Sequence, residues 1–181
     1  MQIDHLIKQK GYEKIEYLLR RHPLTFVPKL ILFLTLMAVP FIIYFLINNL
    51  FANLFANEII FPAAILLASI YFLTIYLFFY IQFLEFYLDS WIVTNDRIVD
   101  IEQHGLFSQT ISELDLYRVQ DVTVDVHGVF PTLFKYGNVK VKTASQNVGI
   151  IFYDVPHPNV VRQAIVELSD LDRHHHYGTK P

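Results

Sequence analysis

The sequence predicts a transmembrane helical hairpin followed by a mainly-β domain, a bent antiparallel sheet or open barrel capped by a C-terminal helix. Two uncharged apolar stretches predict the hairpin, and two-residue alternation after Leu84 predicts the sheet. A last stretch with apolar residues at helical spacing predicts the cap. The predicted parts are a cytoplasmic or interfacial segment (1–29), the hairpin (30–84), the β domain (85–172) and a flexible tail (173–181).

The hairpin is predicted from length and charge. No charged residue lies between Lys29 and Glu58, or between Glu58 and Glu85. As a helix, about 20 apolar residues cover a hydrocarbon core of about 30 Å. We therefore predict transmembrane helices at about 30–50 and 59–83, because in lipid a helix satisfies every backbone group within its own segment.

The positions of the cations predict the orientation. Arg20, Arg21 and Lys29 precede the first span, whereas the connection between the spans (48–58) has no Lys or Arg. Cytoplasmic flanks are enriched in Lys and Arg, so we expect both termini to be cytoplasmic. A cleavable signal peptide is not expected, because the apolar run starts late and is too long.

The segment before the hairpin is predicted to contain a helix. Its apolar residues fall at helical spacing, and they are Tyr12, Ile15, Leu18 and Leu19. A helix lying against the lipid headgroups is the favoured interpretation, and a helix that binds a specific partner is the alternative.

The β domain is predicted to contain short strands and one closing helix. The predicted strands are 86–94, 97–104, 108–116, 119–127, 138–143 and 148–155. Asn95-Asp96 is a turn signal between the first two strands, and 128–137 is predicted to be an apolar loop or a single helical turn. The helix after Pro158 has an apolar stripe formed by Val161, Ala164, Ile165 and Leu168. This stripe and the inner face of the sheet are expected to bury each other.

Composition excludes several kinds of site. The absence of Cys excludes disulfides, thiolate nucleophiles and Cys-based zinc sites. The formal net charge of -3 argues against a nucleic-acid-binding protein. The sequence has no Ser-His-Asp-like motif, glycine-rich phosphate loop or charged pair within the spans. We therefore expect no catalytic residues, no enzymatic activity and no cofactor.

Some carboxylates and histidines are candidates for catalytic or metal-binding sites. Asp121 and Asp125 share one face of a strand, and Glu113 and Asp115 lie on the strand before it. Paired carboxylates can do acid–base chemistry, but a solvated sheet face is the favoured interpretation. The run His174–His176 could bind a metal, yet consecutive residues at a mobile terminus rarely form a defined site. We therefore predict no metal site.

Two surfaces are candidates for contact with lipid or with a partner. The cationic candidate consists of Lys135, Lys140, Lys142 and His127. A solubilising strand face is its favoured interpretation, and contact with anionic headgroups or an acidic partner is the alternative. The apolar candidate is an interface loop with Phe130, Leu133, Phe134 and Tyr136. A plug at the open end of the barrel is favoured for this loop over contact with lipid or a neighbouring subunit.

A series of local motifs follows the hairpin in a specific order. The motifs are Thr94-Asn95-Asp96-Arg97, Gly105-Leu106-Phe107-Ser108, Leu116-Tyr117-Arg118-Val119-Gln120-Asp121-Val122, Phe134-Lys135-Tyr136-Gly137-Asn138-Val139 and Phe152-Tyr153-Asp154-Val155-Pro156. In this order the chain resembles the bacterial PH-like domain of the YdbS type, a membrane-anchored family. Arg20-Arg21-His22 is also similar to the lead-in of that family. The resemblance covers about 85–168 and implies a PH-like fold.

The resemblance also implies a difference from eukaryotic PH domains. Those that bind phosphoinositides use a basic loop between their first two strands. Here the corresponding connection is predicted to be Thr94-Asn95-Asp96-Arg97, which is too short and has a single cation. We therefore do not expect that headgroup pocket here.

These observations lead to one expected function and one alternative. We expect a non-catalytic, membrane-anchored PH-like module that acts in assembly or recognition at the cytoplasmic face of a bacterial plasma (inner) membrane. The alternative is a small accessory subunit of a membrane transport or export complex, in which the hairpin carries the specificity. The expected partners are the lipid bilayer and either a second copy of the chain or another membrane protein.

Overall fold

A computed structural model describes residues 10–51, 59–143 and 149–178. The chain forms two compact units. The β unit combines Met1–His22 with Tyr87–Pro181, and the helical unit is Pro23–Phe86. The chain therefore leaves the β unit after His22 and returns to it at Tyr87.

Two long helices make up the helical unit. A 3-10 turn at Pro23–Phe26 leads into α1 (Val27–Leu50), and α2 spans Ile60–Leu88. Neither of these described helices has a buried residue. The most apolar 18-residue windows of Pro23–Leu50 and Ile60–Leu88 have mean hydropathies of 2.8 and 2.2, so both are long and apolar enough to cross a membrane. The prediction of two long apolar helices is confirmed, although α2 ends at Leu88 and not near residue 83.

A tyrosine of α2 compensates for the proline inside α1. Pro40 has no N–H, so the carbonyl of Leu36 receives no helical hydrogen bond from that position. Tyr71 Oη donates a hydrogen bond of 2.9 Å to this carbonyl oxygen. The rings of Phe33 and Phe79 also stack, with their centroids 4.1 Å apart. These two contacts hold α1 against α2.

Four antiparallel strands form the first sheet, in the order β1-β2-β3-β4. They are β1 (Ile15–Leu19), β2 (Ser90–Thr94), β3 (Arg97–His104) and β4 (Ser108–Asp115). β1 pairs with β2 so that Leu19 lies opposite Trp91. Both apolar helices therefore lie, in sequence, between two strands that are neighbours in the sheet.

The predicted helix before the hairpin is wrong, because residues 15–19 form a strand. The apolar spacing is compatible with a helix, but β1 satisfies its backbone groups by pairing with β2, which is distant in sequence. Leu19 is buried and Leu18 is exposed, as expected for neighbours on a strand. The description of Thr94-Asn95-Asp96-Arg97 as the connection between the first two strands is therefore also wrong. That connection is 20–89, which contains both helices.

Three strands form the second sheet, and two helices flank them. The sheet has the order β5-β6-β7, with β5 (Val119–Asp125), β6 (Tyr136–Thr143) and β7 (Gly149–Pro156). A 3-10 turn at Leu116–Arg118 precedes β5, α3 (Val129–Phe134) joins β5 to β6, and α4 (Pro158–Tyr177) follows β7. The strands predicted after the hairpin correspond to β2–β7. The first of them starts at Ser90 and not at 86, because α2 continues to Leu88.

The main core lies between the two sheets and α4. Its buried residues are Leu19, Trp91, Val93, Ile98, Leu114, Leu116, Val119, Val122, Val139, Val141, Ile150, Phe152, Val155, Val161 and Ile165. The predicted stripe of α4 covers this core, with Leu168 and Val124 partly buried against it. The mainly-β domain with a C-terminal helix is confirmed, and its two sheets do not close into a barrel.

The end of the chain differs from the predicted flexible tail, because α4 continues to Tyr177. His174 is exposed on this helix. The side chains of His175 and His176 lie outside the described residues, as do Val148 and 179–181.

Buried charged side chains tie the residues before β1 to β3. Arg97 donates through Nε and Nη2 to the two carboxylate oxygens of Glu13, each at 2.9 Å, and through Nη1 to Glu113 at 2.7 Å. Burial raises the pKa of Glu13, but the hydrogen bonds from Arg97 hold it below its usual value. Lys10 adds an ion pair of 2.6 Å with Asp96 in the β2–β3 turn. This network fixes the N-terminal edge of the sheet.

Candidate interaction surface

One end of the β unit contains both chain connections to the helical unit. Because β1 and β2 are antiparallel, the last residue of β1 and the first residues of β2 lie at the same end of the sheet. The chain leaves this end through Arg20-Arg21-His22 and returns through Asp89. We call it the junction end.

An ion pair links the two chain connections at the junction end. Arg21 Nη2 lies 2.7 Å from Asp89 Oδ2, and the other oxygen of Asp89 accepts a 2.8 Å hydrogen bond from the backbone N–H of Gln103. The guanidinium of Arg21 also lies over the ring of Tyr153, 5.5 Å from its centroid. Arg21, which precedes α1, is thereby attached to Asp89, which follows α2. Asp89 is also bonded to β3, and Arg21 contacts β7.

His22 attaches the second sheet to the same connection. Its backbone N–H donates 2.8 Å to the carbonyl of Asp154, and its ring stacks on Tyr136 with centroids 5.0 Å apart. Asp154 has a φ of 51°, and its N–H donates to Asn138 Oδ1 at 2.8 Å. Burial raises the pKa of the Asp154 carboxyl, although Arg21 and His22 oppose this shift. Because Tyr136 is the first residue of β6 and stacks on His22, the start of β6 lies at the junction end.

A buried carboxyl group lies in β3 close to this cluster. Asp100 is opposite Trp91 in the sheet, and its Oδ1 is buried without a hydrogen-bond partner in the described structure. Burial raises the pKa of Asp100 to about 7, and the nearby charges of Glu102 and Asp89 act in the same direction. An acid with this environment titrates near neutral pH.

The β3–β4 connection presents the first of two exposed apolar groups. The turn contains Gly105 with a φ of 72°, followed by Leu106 and Phe107. Phe107 is 98% exposed. We call Leu106 and Phe107 the first tip. Hairpin turns usually contain small or polar residues, so an exposed aromatic ring at this position has no role in the fold of the β unit.

The helix α3 presents the second exposed apolar group. Val129, Phe130 and Leu133 are all exposed, Phe130 to 68%. We call these three residues the second tip. Gly128 precedes α3 with a φ of 106°, and Lys135 ends it in a left-handed conformation. This segment was expected to plug a barrel, but these side chains lie on the surface of the β unit.

The predicted interface loop is only partly exposed. Phe130, Leu133 and Phe134 are exposed, whereas Tyr136 is buried and stacks on His22. Tyr136 therefore stabilises the junction end and does not belong to an exposed surface.

The predicted cationic surface has acidic neighbours. Lys140 Nζ lies 2.5 Å from Asp125 Oδ2, and its hydrogen bond lowers the pKa of that carboxyl. Lys142 is opposite Asp121 in the β5–β6 register. Lys135 is exposed next to the second tip, while Lys142 lies near the other end of β6. Binding of anionic lipid or an acidic partner by these lysines and by the exposed His127 stays a prediction.

Three of the carboxylates considered for acid–base chemistry are paired with cationic side chains. Glu113 accepts a hydrogen bond from Arg97, and Asp125 pairs with Lys140. Asp115 lies 3.2 Å from Arg118, on the surface. Among the described residues, no group of three or more His, Asp or Glu side chains could hold a metal ion.

Sequence reasoning missed the first tip and the Arg21–Asp89 pair. An apolar pair directly after Gly105 was a usable signal for the tip, because turns favour polar residues. The ion pair had no such signal. Its two residues are adjacent only because β1 pairs with β2.

A family model described as Bacterial PH domain matches residues 26–169, which include both apolar helices and the sheets from β2 onward. The chain belongs to the bacterial PH domain family. PH domains are generally non-catalytic. This membership also agrees with the PH-like fold expected from the sequence motifs.

Comparison with solved structures finds a chain of limited similarity. The crystal structure of a DUF1696 family protein with a pleckstrin-homology domain from Shewanella loihica PV-4 is similar at 15% identity, with a TM-score of 0.37. The similarity covers 45% of this chain and 70% of that chain. The comparison with curated proteins gave no match.

Proposed function

We propose that this bacterial PH domain protein is a membrane-anchored, YdbS-type module without catalytic activity, which acts in assembly or recognition at the cytoplasmic face of the plasma membrane. One observation carries the proposal: two helices long and apolar enough to cross a bilayer lie between β1 and β2, which pair in one sheet. A connection of this composition is far longer and more apolar than a surface loop needs.

The pairing of β1 with β2 supports two crossings. Strands that share hydrogen bonds must lie on the same side of a membrane. The chain between them therefore crosses an even number of times, which two apolar helices satisfy. This argument is independent of charge, and it requires the residues before α1 and after α2 to be on one side.

The charge distribution supports the cytoplasmic side. Arg20 and Arg21 precede α1 and Lys29 lies in its first turn, whereas residues 48–58 have no Lys or Arg. The hydrogen bond from Tyr71 to the Leu36 carbonyl fits the same proposal. In hydrocarbon, a carbonyl left free by Pro40 would have no water to bind.

Single introduced cysteines can test this topology, because the chain has no native Cys. Glu16→Cys in β1 and Gln163→Cys in α4 replace exposed residues, and Asn49→Cys lies at the end of α1. In intact cells, a membrane-impermeant maleimide should label position 49 and leave positions 16 and 163 unlabelled. Both of those positions should become labelled when the membrane is opened.

Two results would contradict the proposal in different ways. Labelling of positions 16 and 163 in intact cells, with position 49 protected, would reverse the orientation. Opposite labelling of positions 16 and 163 would show that the chain crosses an odd number of times, and would exclude the β1–β2 pair.

The nature of the partner requires a separate experiment. Purification in a mild detergent should give copies of this chain alone if the module assembles with itself. A second membrane protein in constant ratio would instead support an accessory subunit of a transport or export complex.

A further inference from the structure

We propose that the first and second tips insert their apolar side chains into the membrane surface beside the hairpin, so that the lipid bilayer is the ligand of the junction end. The inference rests on the proposed membrane anchoring. It adds the residues that contact lipid, Leu106 and Phe107 on one connection and Val129, Phe130 and Leu133 on the other.

The strand register places the first tip at the junction end. Ser90, the first residue of β2, lies opposite Ile101 of β3. β3 continues for three residues past Ile101 to His104 before the turn begins. At about 3.3 Å per residue, the turn lies roughly 10 Å beyond the start of β2. The first tip therefore projects past the point at which the chain returns from α2.

Contacts within the β unit place the second tip at the same end. Tyr136 follows α3 by two residues and stacks on His22, the last residue of the β unit before α1. The backbone bond from His22 to Asp154 fixes the start of β6 beside that chain exit. Both chain connections and both tips are thus at one end of the unit.

The chemistry of the tips fits the interfacial region of a bilayer. Aromatic and aliphatic side chains are favoured at a depth of about 5–10 Å, at the boundary between headgroups and acyl chains. Arg20 and Lys135 are exposed at the same end and suit an anionic surface. Among the acids at this end, Asp89 is buried and paired with Arg21, Asp125 is paired with Lys140, and Glu102 Oε2 lies 3.6 Å from His104 Nε2.

The shape of the tips favours lipid over a protein partner. Each tip is the convex end of a connection between antiparallel strands and not a groove that could hold a helix or a strand. The chain also tethers both tips on the side from which it enters the hairpin. A second copy of the chain is the competing occupant, and the experiment separates the two.

Fluorescence quenching in the full-length protein can locate the tips. Phe107→Cys and Phe130→Cys would each be labelled with an environment-sensitive NBD probe, in vesicles of phosphatidylethanolamine and phosphatidylglycerol. Leu171→Cys is the matched control, because Leu171 is exposed on α4 next to the pocket that includes Asp96, at the other end of the sheet. Leu67→Cys, exposed in the N-terminal third of α2, reports whether the hairpin is in the bilayer.

The expected result is a lipid signal at both tips and in the helix. Spin-labelled lipid should quench probes at positions 67, 107 and 130 several-fold more than the probe at 171. Iodide in the water should quench the probe at 171 most. At about 1 M salt, where the Debye length is about 3 Å, the tips should keep their lipid quenching because the contact is apolar.

Three other outcomes are informative. If lipid quenches position 67 but iodide quenches 107 and 130 as strongly as 171, the tips do not contact lipid and the membrane anchoring stands. If position 67 is not quenched by lipid, the anchoring itself is wrong. If 107 and 130 are protected from both quenchers, and become accessible to iodide at one copy per nanodisc, a second copy covers them and the inference is overturned.

Discussion

β2 pairs with β1 on one side and with β3 on the other, and these two antiparallel pairs are built in opposite ways. The β2–β3 connection is the two residues Asn95-Asp96, whereas the β1–β2 connection is 20–89 and contains both apolar helices. The entropic cost of closing the β1–β2 connection is therefore larger than that of closing the β2–β3 connection. β1 needs contacts beyond its backbone bonds to hold its position.

Different side chains hold the two strand pairs together. In the β2–β3 turn, Thr94 Oγ1 accepts a 3.0 Å hydrogen bond from the N–H of Arg97 and donates 2.9 Å to its carbonyl. For β1, the holding contacts lie at its two ends, with Glu13–Arg97 at one end and Arg21–Asp89 at the other. A short connection stabilises itself, while a long one depends on distant partners.

The largest expected effect comes from removing the buried cation that holds β1. Arg97→Met should lower the free energy of unfolding by about 3–5 kcal/mol, because it leaves Glu13 buried without its partner. Trp91 is the chain's one tryptophan and is buried against Phe152, so its fluorescence reports unfolding of the β unit alone. Chemical denaturation of the full chain in detergent would measure the change.

Arg118→Met provides the control for that experiment. Arg118 is exposed and pairs with Asp115 on the surface, so its removal should leave the midpoint unchanged. If Arg97→Met and the wild-type protein had equal denaturation midpoints, the Glu13–Arg97 network would not hold β1 in place.

A smaller effect should distinguish the two neighbours at the end of β1. Leu19→Ala should cost about 2–4 kcal/mol because Leu19 is in the main core, whereas Leu18→Ala should change stability by about 0.5 kcal/mol or less. Chemical denaturation followed by Trp91 fluorescence would measure both changes. Equal losses for both changes would indicate that this segment is not a strand with alternating faces.

The smallest effect concerns the β2–β3 pair and depends on pH. Because the folded state raises the pKa of Asp100 from 3.8 to about 7, the folded protein holds the proton more tightly than the unfolded chain between these values. Stability should therefore fall as the pH rises from about 4 through 7. Asp100→Asn should remove this loss and stabilise the protein by about 1–3 kcal/mol at pH 8, since the buried amide still lacks partners.

The measurement is the difference in unfolding free energy between Asp100→Asn and wild type at pH 5 and pH 8. The difference should be clearly larger at pH 8. A constant difference would mean that Asp100 does not titrate in this range.

The sequence predicted what depends on neighbouring residues. The strands after Ser90 alternate in a visible pattern, so β3 was predicted with its observed limits and the stripe of α4 with its buried residues. The apolar helices follow from their length and lack of charge. Each of these features depends on residues that are close to one another in sequence.

The rest depended on contacts between distant residues. β1 was predicted as a helix because its partner strand follows the hairpin, and no local pattern shows that pairing. Tyr136 was named as part of a possible interface loop, because no local pattern shows its stacking on His22, which precedes α1. The junction end arises from this pairing and from the contacts of His22 with the second sheet, all of which join residues distant in sequence.

The position of the helices between β1 and β2 also sets an order of events during synthesis. At roughly 5–20 residues per second, the ribosome makes residues 20–89 in roughly 4–14 s, and throughout this time β1 has no β2 to pair with. If both helices cross a membrane as proposed above, β1 can complete the sheet only after both have been inserted and the chain has returned to the same side. On that topology, a hairpin that stalls after one crossing would leave the two strands on opposite sides, and β1 could not join the sheet. On the proposed topology, membrane insertion is therefore a precondition for completing the first sheet of the β unit.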